Sequence, residues 1–155
     1  MTRVLFICMG NICRSPLAEA ALRFRARERH IAVEARSAAT HSWHVGEGAE
    51  ARAIAAGRRR GYLLSGHRAR QAVAGDFLQE EFILAMDRGN LARLRRFAPA
   101  RTSARIGLLL DYAEETDTNE VPDPYYGGEQ VFERALDLID TAVDGFLRRL
   151  AAGPS

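Results

Sequence analysis

Val4-Leu5-Phe6-Ile7-Cys8-Met9-Gly10-Asn11-Ile12-Cys13-Arg14-Ser15-Pro16 is the stretch whose reading decides the fold. A short apolar run ends in a cysteine; an arginine follows six positions later, then Ser-Pro, then a helix-forming segment. A buried parallel strand that stops at a loop and hands over to a helix has this pattern. Pro16 suits the first turn of that helix. The five residues between Cys8 and Arg14 can loop around one tetrahedral anion. Their backbone N–H groups turn inward, and the helix aims its positive end at the same point. A thiol in such a field ionises below the free value of about 8.5. The guanidinium of Arg14 can hold two phosphate oxygens at once. A bare Cys-x5-Arg spacing is common by chance. Here it carries a preceding strand, a following helix, Gly10 to relax the loop and Ser15 to place a hydroxyl near the sulfur.

Outward from this loop, strand and helix alternate. Arg3 to Ile7, Ile31 to Ser37, Phe82 to Met86 and Arg105 to Leu110 read as strands. After Pro16, Leu17, Ala20, Ala21 and Phe24 recur at helical spacing. Glu47 to Arg60 reads as a helix stopped by Gly61. Ser65 to Gln79 reads as short helical pieces in a loop. Asp87 caps a helix to about Phe97. Glu129 to Leu150 is a long amphipathic helix with Val131, Leu136, Ile139, Val143, Phe146 and Leu150 on its apolar stripe. Ala38 to Gly46 and Asp111 to Gly128 are irregular. The alternation, without hairpin signals, predicts an α/β fold: a parallel sheet in a three-layer arrangement, flanked by helices on both faces. Ligands of such sheets bind at the carboxyl ends of strands, where Cys8 stands.

The 155 residues suit one domain spanning 1–155, with 47% hydrophobic and 27% charged side chains and a net charge of +2. All the basic side chains other than histidine are arginine. They are spread along the chain among acids, which argues against nucleic acid as a partner. The runs Arg23 to Arg29 and Arg58 to Arg60 fall on expected helices and read as solvated faces. The Val4 to Ile7 run is too short for a signal peptide or a membrane span, and no other segment approaches one. Two cysteines in one loop are not a secreted disulfide framework, so a cytoplasmic setting is expected.

Val121-Pro122-Asp123-Pro124-Tyr125-Tyr126-Gly127-Gly128 is the second constellation. It could be no more than a proline-stiffened turn. The same stiffness would hold Asp123 as a general acid, which phosphomonoester cleavage needs for its leaving oxygen. Adjacent tyrosines would wall a slot for an aromatic ring. Cys13 is either a small core residue or a thiol that captures oxidised Cys8 as a disulfide. Zinc is not expected, because the two cysteines lack the usual ligand pattern. His30, His41 and His44 read as exposed loop histidines. Trp43 reads as a binding wall or a half-exposed packing residue.

With these residues in hand, Cys8 to Pro16 resembles the signature loop of the low-molecular-weight protein-tyrosine phosphatases, and Asp123-Pro124-Tyr125 resembles that family's general-acid loop. Ser37 to Thr40, Trp43 to Gly46, Ser65 to Arg70 and Ala85 to Arg88 also resemble family segments, in the same order, from about Val4 to Leu150. The resemblance implies a four-stranded parallel sheet and hydrolysis of protein phosphotyrosine and aryl phosphates through a phosphocysteine. It implies Cys8 as nucleophile, Arg14 as phosphoryl holder and Asp123 as acid and then base. Met9, Gly10, Asn11, Ile12, Cys13 and Ser15 would form the phosphate-binding loop, with Ser15 steadying the thiolate. Asn11 would fix the loop with support from Ser37 and His67, while Trp43, Tyr125 and Tyr126 line the entrance. No cofactor and no metal are implied. The expected partner is a phosphotyrosine protein, with a cognate tyrosine kinase as a second, and the chain is expected as a monomer or weakly self-associating. Two departures are expected to alter local geometry: Ala39 stands where the family has Gly, and Tyr112 to Glu120 is longer.

Three rivals share some of these features. A phosphoarginine phosphatase on the same fold would carry a small polar residue at the position of Ile12. An arsenate reductase would need resolving cysteines later in the chain. A non-catalytic phosphate-binding or redox-sensing module would tolerate loss of Cys8, Arg14 or Asp123.

Overall fold

The computed structural model describes residues 1–153. Its four strands, β1 (Thr2–Cys8), β2 (Val33–Ala39), β3 (Phe82–Ala85) and β4 (Arg105–Leu108), form one sheet in the order β2-β1-β3-β4. Every pairing is parallel. Helices α1 (Arg14–Glu28), α2 (Ala51–Arg58) and α5 (Glu129–Ala151) cover one face; α3 (Asp76–Gln79) and α4 (Arg88–Phe97) cover the other. This is the expected three-layer α/β architecture. β1 lies between β2 and β3 and is buried on both sides, which is why it reads as a continuous apolar run. Val4, Phe6 and Cys8 face the α1–α5 core, while Leu5 and Ile7 face the α3–α4 core. The chain leaves β1 in one direction to β2, then crosses to β3 on its other side. The carboxyl ends of β1 and β3 therefore flank the switch point, where a ligand crevice is expected.

Several boundaries differ from the sequence expectations. β2 starts two residues later than Ile31, because the Ile31 N–H closes the end of α1 on the Ala26 carbonyl at 2.9 Å. It runs on through Ala38 and Ala39, which pair with Ile7 and Cys8 despite the weak strand preference of alanine. Ala39 thus sits inside a strand, not in a turn. α2 is shorter than Glu47 to Arg60. Glu50 is its N-cap, accepting from the Arg52 N–H at 2.8 Å, and Glu47 pairs its carbonyl with Ala69 instead. Between Ser65 and Gln79 only α3 is helical; Arg70 to Ala72 instead runs extended beside Ala39. β4 ends at Leu108, and Leu109–Tyr112 turn into one 3-10 turn against α5.

The long helix buries more than one stripe. Leu136, Ile139, Val143 and Phe146 are in the core, with Phe132, Ala135, Ala142 and Leu147 beside them, while Val131 and Leu150 are half-buried near its ends. Gly145 is needed there, because a Cβ would collide with the Tyr112 carbonyl oxygen. Phe24, which recurs with Leu17, Ala20 and Ala21 at helical spacing, is 39% exposed and packs edge-on to Tyr62. The arginine runs are not free solvated faces either. Arg25 donates to both Asp144 oxygens at 2.9 Å and to the Tyr62 hydroxyl at 2.8 Å, and Arg60 donates to Glu133 at 2.6 Å and Asp140 at 2.8 Å. These pairs tie α1 and the end of α2 to α5. Burial, and then its hydrogen bond to Asp140, push the Tyr62 hydroxyl up to about 12, so it stays protonated as a donor.

Candidate active site

The loop after β1 is built around Asn11, whose φ of 60° lies in the left-handed region. Asparagine tolerates that region better than most residues, yet it still costs of order 1–3 kcal/mol unless the surroundings hold it. Here they do. Asn11 Nδ2 donates to Ser15 Oγ at 2.8 Å and to Ser37 Oγ at 2.9 Å. Its Oδ1 accepts the Arg70 N–H at 3.0 Å, and its carbonyl meets His67 Nε2 at 2.6 Å, which places the donating proton on that nitrogen. Ser37 and His67 thus both hydrogen-bond Asn11, and so does the Arg70 backbone, a contact that the sequence did not show. Because Ser37 accepts from Asn11, its own proton goes to Glu19 Oε1 at 2.6 Å, one helical turn beyond Ser15.

The result is a sulfur held in a fixed polar nest. Cys8 Sγ accepts the Asn11 N–H at 3.3 Å and lies 2.9 Å from Ser15 Oγ. Ser15 already accepts from Asn11, so its hydroxyl proton is free to point at the sulfur. Directly behind stands the start of α1, with Cys13 as N-cap, no side-chain cap and no acidic residue in the first turn. Nothing in that turn neutralises the positive end of the helix.

Arg14 is almost fully buried, at 2% exposure. Its Nη1 donates to Asp87 Oδ2 at 2.8 Å and to the Val121 carbonyl at 3.0 Å, and its Nη2 lies 3.6 Å from Asp123 Oδ2. Burial alone would weaken the guanidinium's hold on its proton. The negative charges of Cys8, Asp87 and Asp123 more than offset that, so the group stays firmly charged. Asp87 is a residue to which the sequence reading gave no role in the site: it stood as the cap of α4 and within the family-like segment Ala85 to Arg88. It is that cap, in a reciprocal box with Asn90, and it also anchors Arg14. Its place two residues beyond the end of β3, across the switch point from Cys8, was the available signal.

Asp123 arrives on the long 112–123 segment, which still reaches the site. The Val121 N–H is pinned to the Met86 carbonyl at 2.8 Å, and Glu120 Oε2 accepts the Arg88 N–H at 2.9 Å. One cavity of about 90 Å³ is lined by Cys8, Met9, Gly10, Ile12, Cys13 and Arg14 at its base and by Asp123 beside them. One water needs only about 10–15 Å³, so the space suits a larger group. Trp43, His44, Tyr125 and Tyr126 form its rim. Tyr125 and Tyr126 meet edge to face at 5.0 Å, and Trp43 stacks on His41 at 4.3 Å. His44 is therefore more than an exposed loop residue: its ring packs over Gly10, closer than any Cβ there would allow. Cys13 is buried within the loop, and burial, followed by the charge of Cys8, pushes its thiol well up.

The family model described as low molecular weight phosphotyrosine protein phosphatase matches residues 3–154. A low molecular weight protein-tyrosine-phosphatase of Streptomyces coelicolor is 45% identical over 94% of this chain and 91% of its own length. Among solved structures, a protein tyrosine phosphatase from Entamoeba histolytica with Hepes in its active site superposes with a TM-score of 0.94 at 36% identity, covering 99% of each chain. A Drosophila arginine phosphatase superposes with a TM-score of 0.93 at 31% identity, over 99% of this chain and 100% of its own.

Proposed function

The chain belongs to the low molecular weight phosphotyrosine protein phosphatase family, and from that premise we propose how its own residues hydrolyse phosphotyrosine in proteins. One observation carries the proposal: Cys8, Arg14 and Asp123 line a single cavity with an aromatic rim. Cys8 attacks phosphorus as the thiolate, the S–P bond forms and the P–O bond to the tyrosine ring breaks. Asp123 gives its proton to the departing phenolic oxygen. Water then attacks the phosphocysteine while Asp123 takes the proton back, which releases phosphate and restores the thiolate. Arg14 and the loop amides, of which the Asn11 N–H already faces the sulfur, stabilise the equatorial oxygens, where charge develops. Ser15 and Asn11 hold the sulfur in place, Ser37 and His67 hold Asn11, and Met9, Gly10, Ile12 and Cys13 complete the cradle.

A cavity that joins the Cys8 loop to Trp43, Tyr125 and Tyr126 favours a phosphate at the end of an aromatic ring over one on a short serine side chain. Ile12 adds apolar surface to that slot. The Drosophila neighbour supports phosphoarginine as a second reading, because it shares the fold at high similarity. Matched turnover of a phosphotyrosine peptide and a phosphoarginine peptide, without added metal, decides between them. Faster hydrolysis of phosphotyrosine is expected, and a preference for phosphoarginine would reverse the assignment. No described helix is long and apolar enough to cross a membrane. On its two cysteines, both free and neither part of a disulfide framework, we place the chain in the cytoplasm as a single domain, acting on phosphotyrosine proteins, a cognate tyrosine kinase among them, as a monomer or weak self-associate. Cys13 is either a packing residue of the loop or the thiol that captures oxidised Cys8, and oxidation of the protein decides between the two.

A further inference from the structure

The acid loop is held from outside the site by a residue that neither loop contains. Arg52, in the first turn of α2, donates from Nη2 to the Tyr125 carbonyl at 2.6 Å and from Nη1 to the Gly127 carbonyl at 2.7 Å. Its Nε donates to Glu50 Oε1 at 3.0 Å, which fixes the fork. Its guanidinium also lies over the Phe132 ring at 5.0 Å and the Tyr125 ring at 5.9 Å, distances at which cation and ring attract. Tyr125 in turn donates its N–H to Asp123 Oδ1 at 3.1 Å. A short chain of contacts therefore runs from α2 through one residue to the carboxylate.

The same end of α2 grips the other loop. The Glu50 N–H donates to the Ile12 carbonyl at 2.9 Å, within the cradle around Cys8. Glu50 and Arg52 thus brace the nucleophile loop and the acid loop against one rigid element. Asp123 itself follows Pro122 and precedes Pro124, and its only hydrogen bond among the described residues is the one from Tyr125. Its side chain is 41% exposed, so burial does not hold it.

We propose that Arg52 is a positioning residue for the general acid: by clasping the Tyr125 and Gly127 carbonyls it fixes the Asp123 carboxylate over the leaving oxygen. This rests on the assignment of Asp123 as the acid. Arg52 does not line the cavity. The planar fork spans two carbonyls, which the point charge of a lysine cannot do. A carboxylate misplaced by about 1 Å can cost roughly 100-fold in rate. The cost falls on the step that needs the proton, and spares binding of the phosphoryl group by Arg14 and the loop.

The test compares wild type, Arg52→Met and Arg52→Lys on a series of aryl phosphates with increasingly poor leaving groups. Arg52→Met keeps the stem over Phe132 and removes the donors. It is expected to lower kcat by roughly 10- to 100-fold on the poorest leaving group and by less than about threefold on the most activated one. KM and competitive inhibition by inorganic phosphate should hold, and Arg52→Lys should recover only part of the loss. In an Asp123→Asn background Arg52→Met should add nothing, because both act through one carboxylate. Hydrogen exchange, read separately, should rise across residues 122–128 in Arg52→Met while residues 8–15 stay protected. A uniform loss across the series, a loss that adds to that of Asp123→Asn, or unchanged exchange at 122–128 would each overturn the proposal. If Asp123→Asn itself shows no dependence on the leaving group, the acid assignment fails; the exchange measurement still decides whether Arg52 holds the loop.

Discussion

Arg14 Nη1 and Asp87 Oδ2 stand 2.8 Å apart, while the other Asp87 oxygen accepts the Asn90 N–H at 2.7 Å. One carboxylate at the end of β3 thus caps α4 and carries the buried guanidinium that faces the nucleophile. The two tasks can be separated. Asp87→Asn keeps a capping oxygen but removes the charge opposite Arg14. It is expected to lower kcat/KM by roughly tenfold and to weaken inhibition by inorganic phosphate, with thermal stability close to wild type. Asp87→Ala should also lose about 1 kcal/mol of stability. Wild-type kinetics with Asp87→Asn would mean that the Val121 carbonyl alone suffices to orient Arg14.

Asp123→Asn should lose roughly 100-fold or more on substrates with poor leaving groups and much less on activated aryl phosphates, which leave with little help from a proton. A leaving-group series read at saturating substrate measures this. Equal losses across the series would make Asp123 a structural residue of its proline-flanked loop.

Cys13 bears on oxidation. Peroxide converts the Cys8 thiolate to a sulfenic acid, and attack by the Cys13 thiol would give a disulfide and release water. Burial and the charge of Cys8 push the Cys13 thiol up, and oxidation of Cys8 removes that second contribution. Wild type should be inactivated by mild peroxide and recovered by a thiol reductant. Cys13→Ser should pass further up the oxidation ladder and recover poorly. Mass spectrometry of the Cys8 to Cys13 peptide reads the result. Full recovery of Cys13→Ser, with no disulfide in wild type, would return Cys13 to a packing role.

Gly145→Ala tests the packing of α5 against the turn after β4. The added Cβ would meet the Tyr112 carbonyl, and backbone on both sides leaves little room to yield. A loss of about 1–3 kcal/mol in denaturant unfolding is expected, outweighing the helix preference of alanine. Unchanged stability would show that the two elements separate without cost.

Much of this site was legible in the chain because its parts are local. Cys8, Arg14 and Ser15 lie within one strand-loop-helix stretch, whose pattern describes a cradle, while the role of Asn11 came with the family resemblance. The sheet was legible for the same reason: β3 is a short, wholly buried apolar run, and β1 is one from Val4 to Cys8. What escaped depends on pairing between distant segments. Asp87 and Arg52 look like ordinary helix-end residues until β3 and α2 are set beside the loops. The Ala38–Ala39 end of β2 is made a strand by Ile7 and Cys8, not by its own preference. Arg25 and Arg60 read as solvated because their acids lie roughly 75 or more residues away on α5, a separation that no local pattern reveals.

The central claim is that phosphate passes through the sulfur of Cys8. Rapid acid quench during turnover of an aryl phosphate, followed by mass spectrometry of the digested protein, reads this directly. The account predicts one phosphoryl group on the Cys8 peptide in wild type, more of it when Asp123→Asn slows its hydrolysis, and none in Cys8→Ser, which should bind phosphate but not turn over. A phosphoryl group on any other side chain, or wild-type turnover by Cys8→Ser, would contradict it.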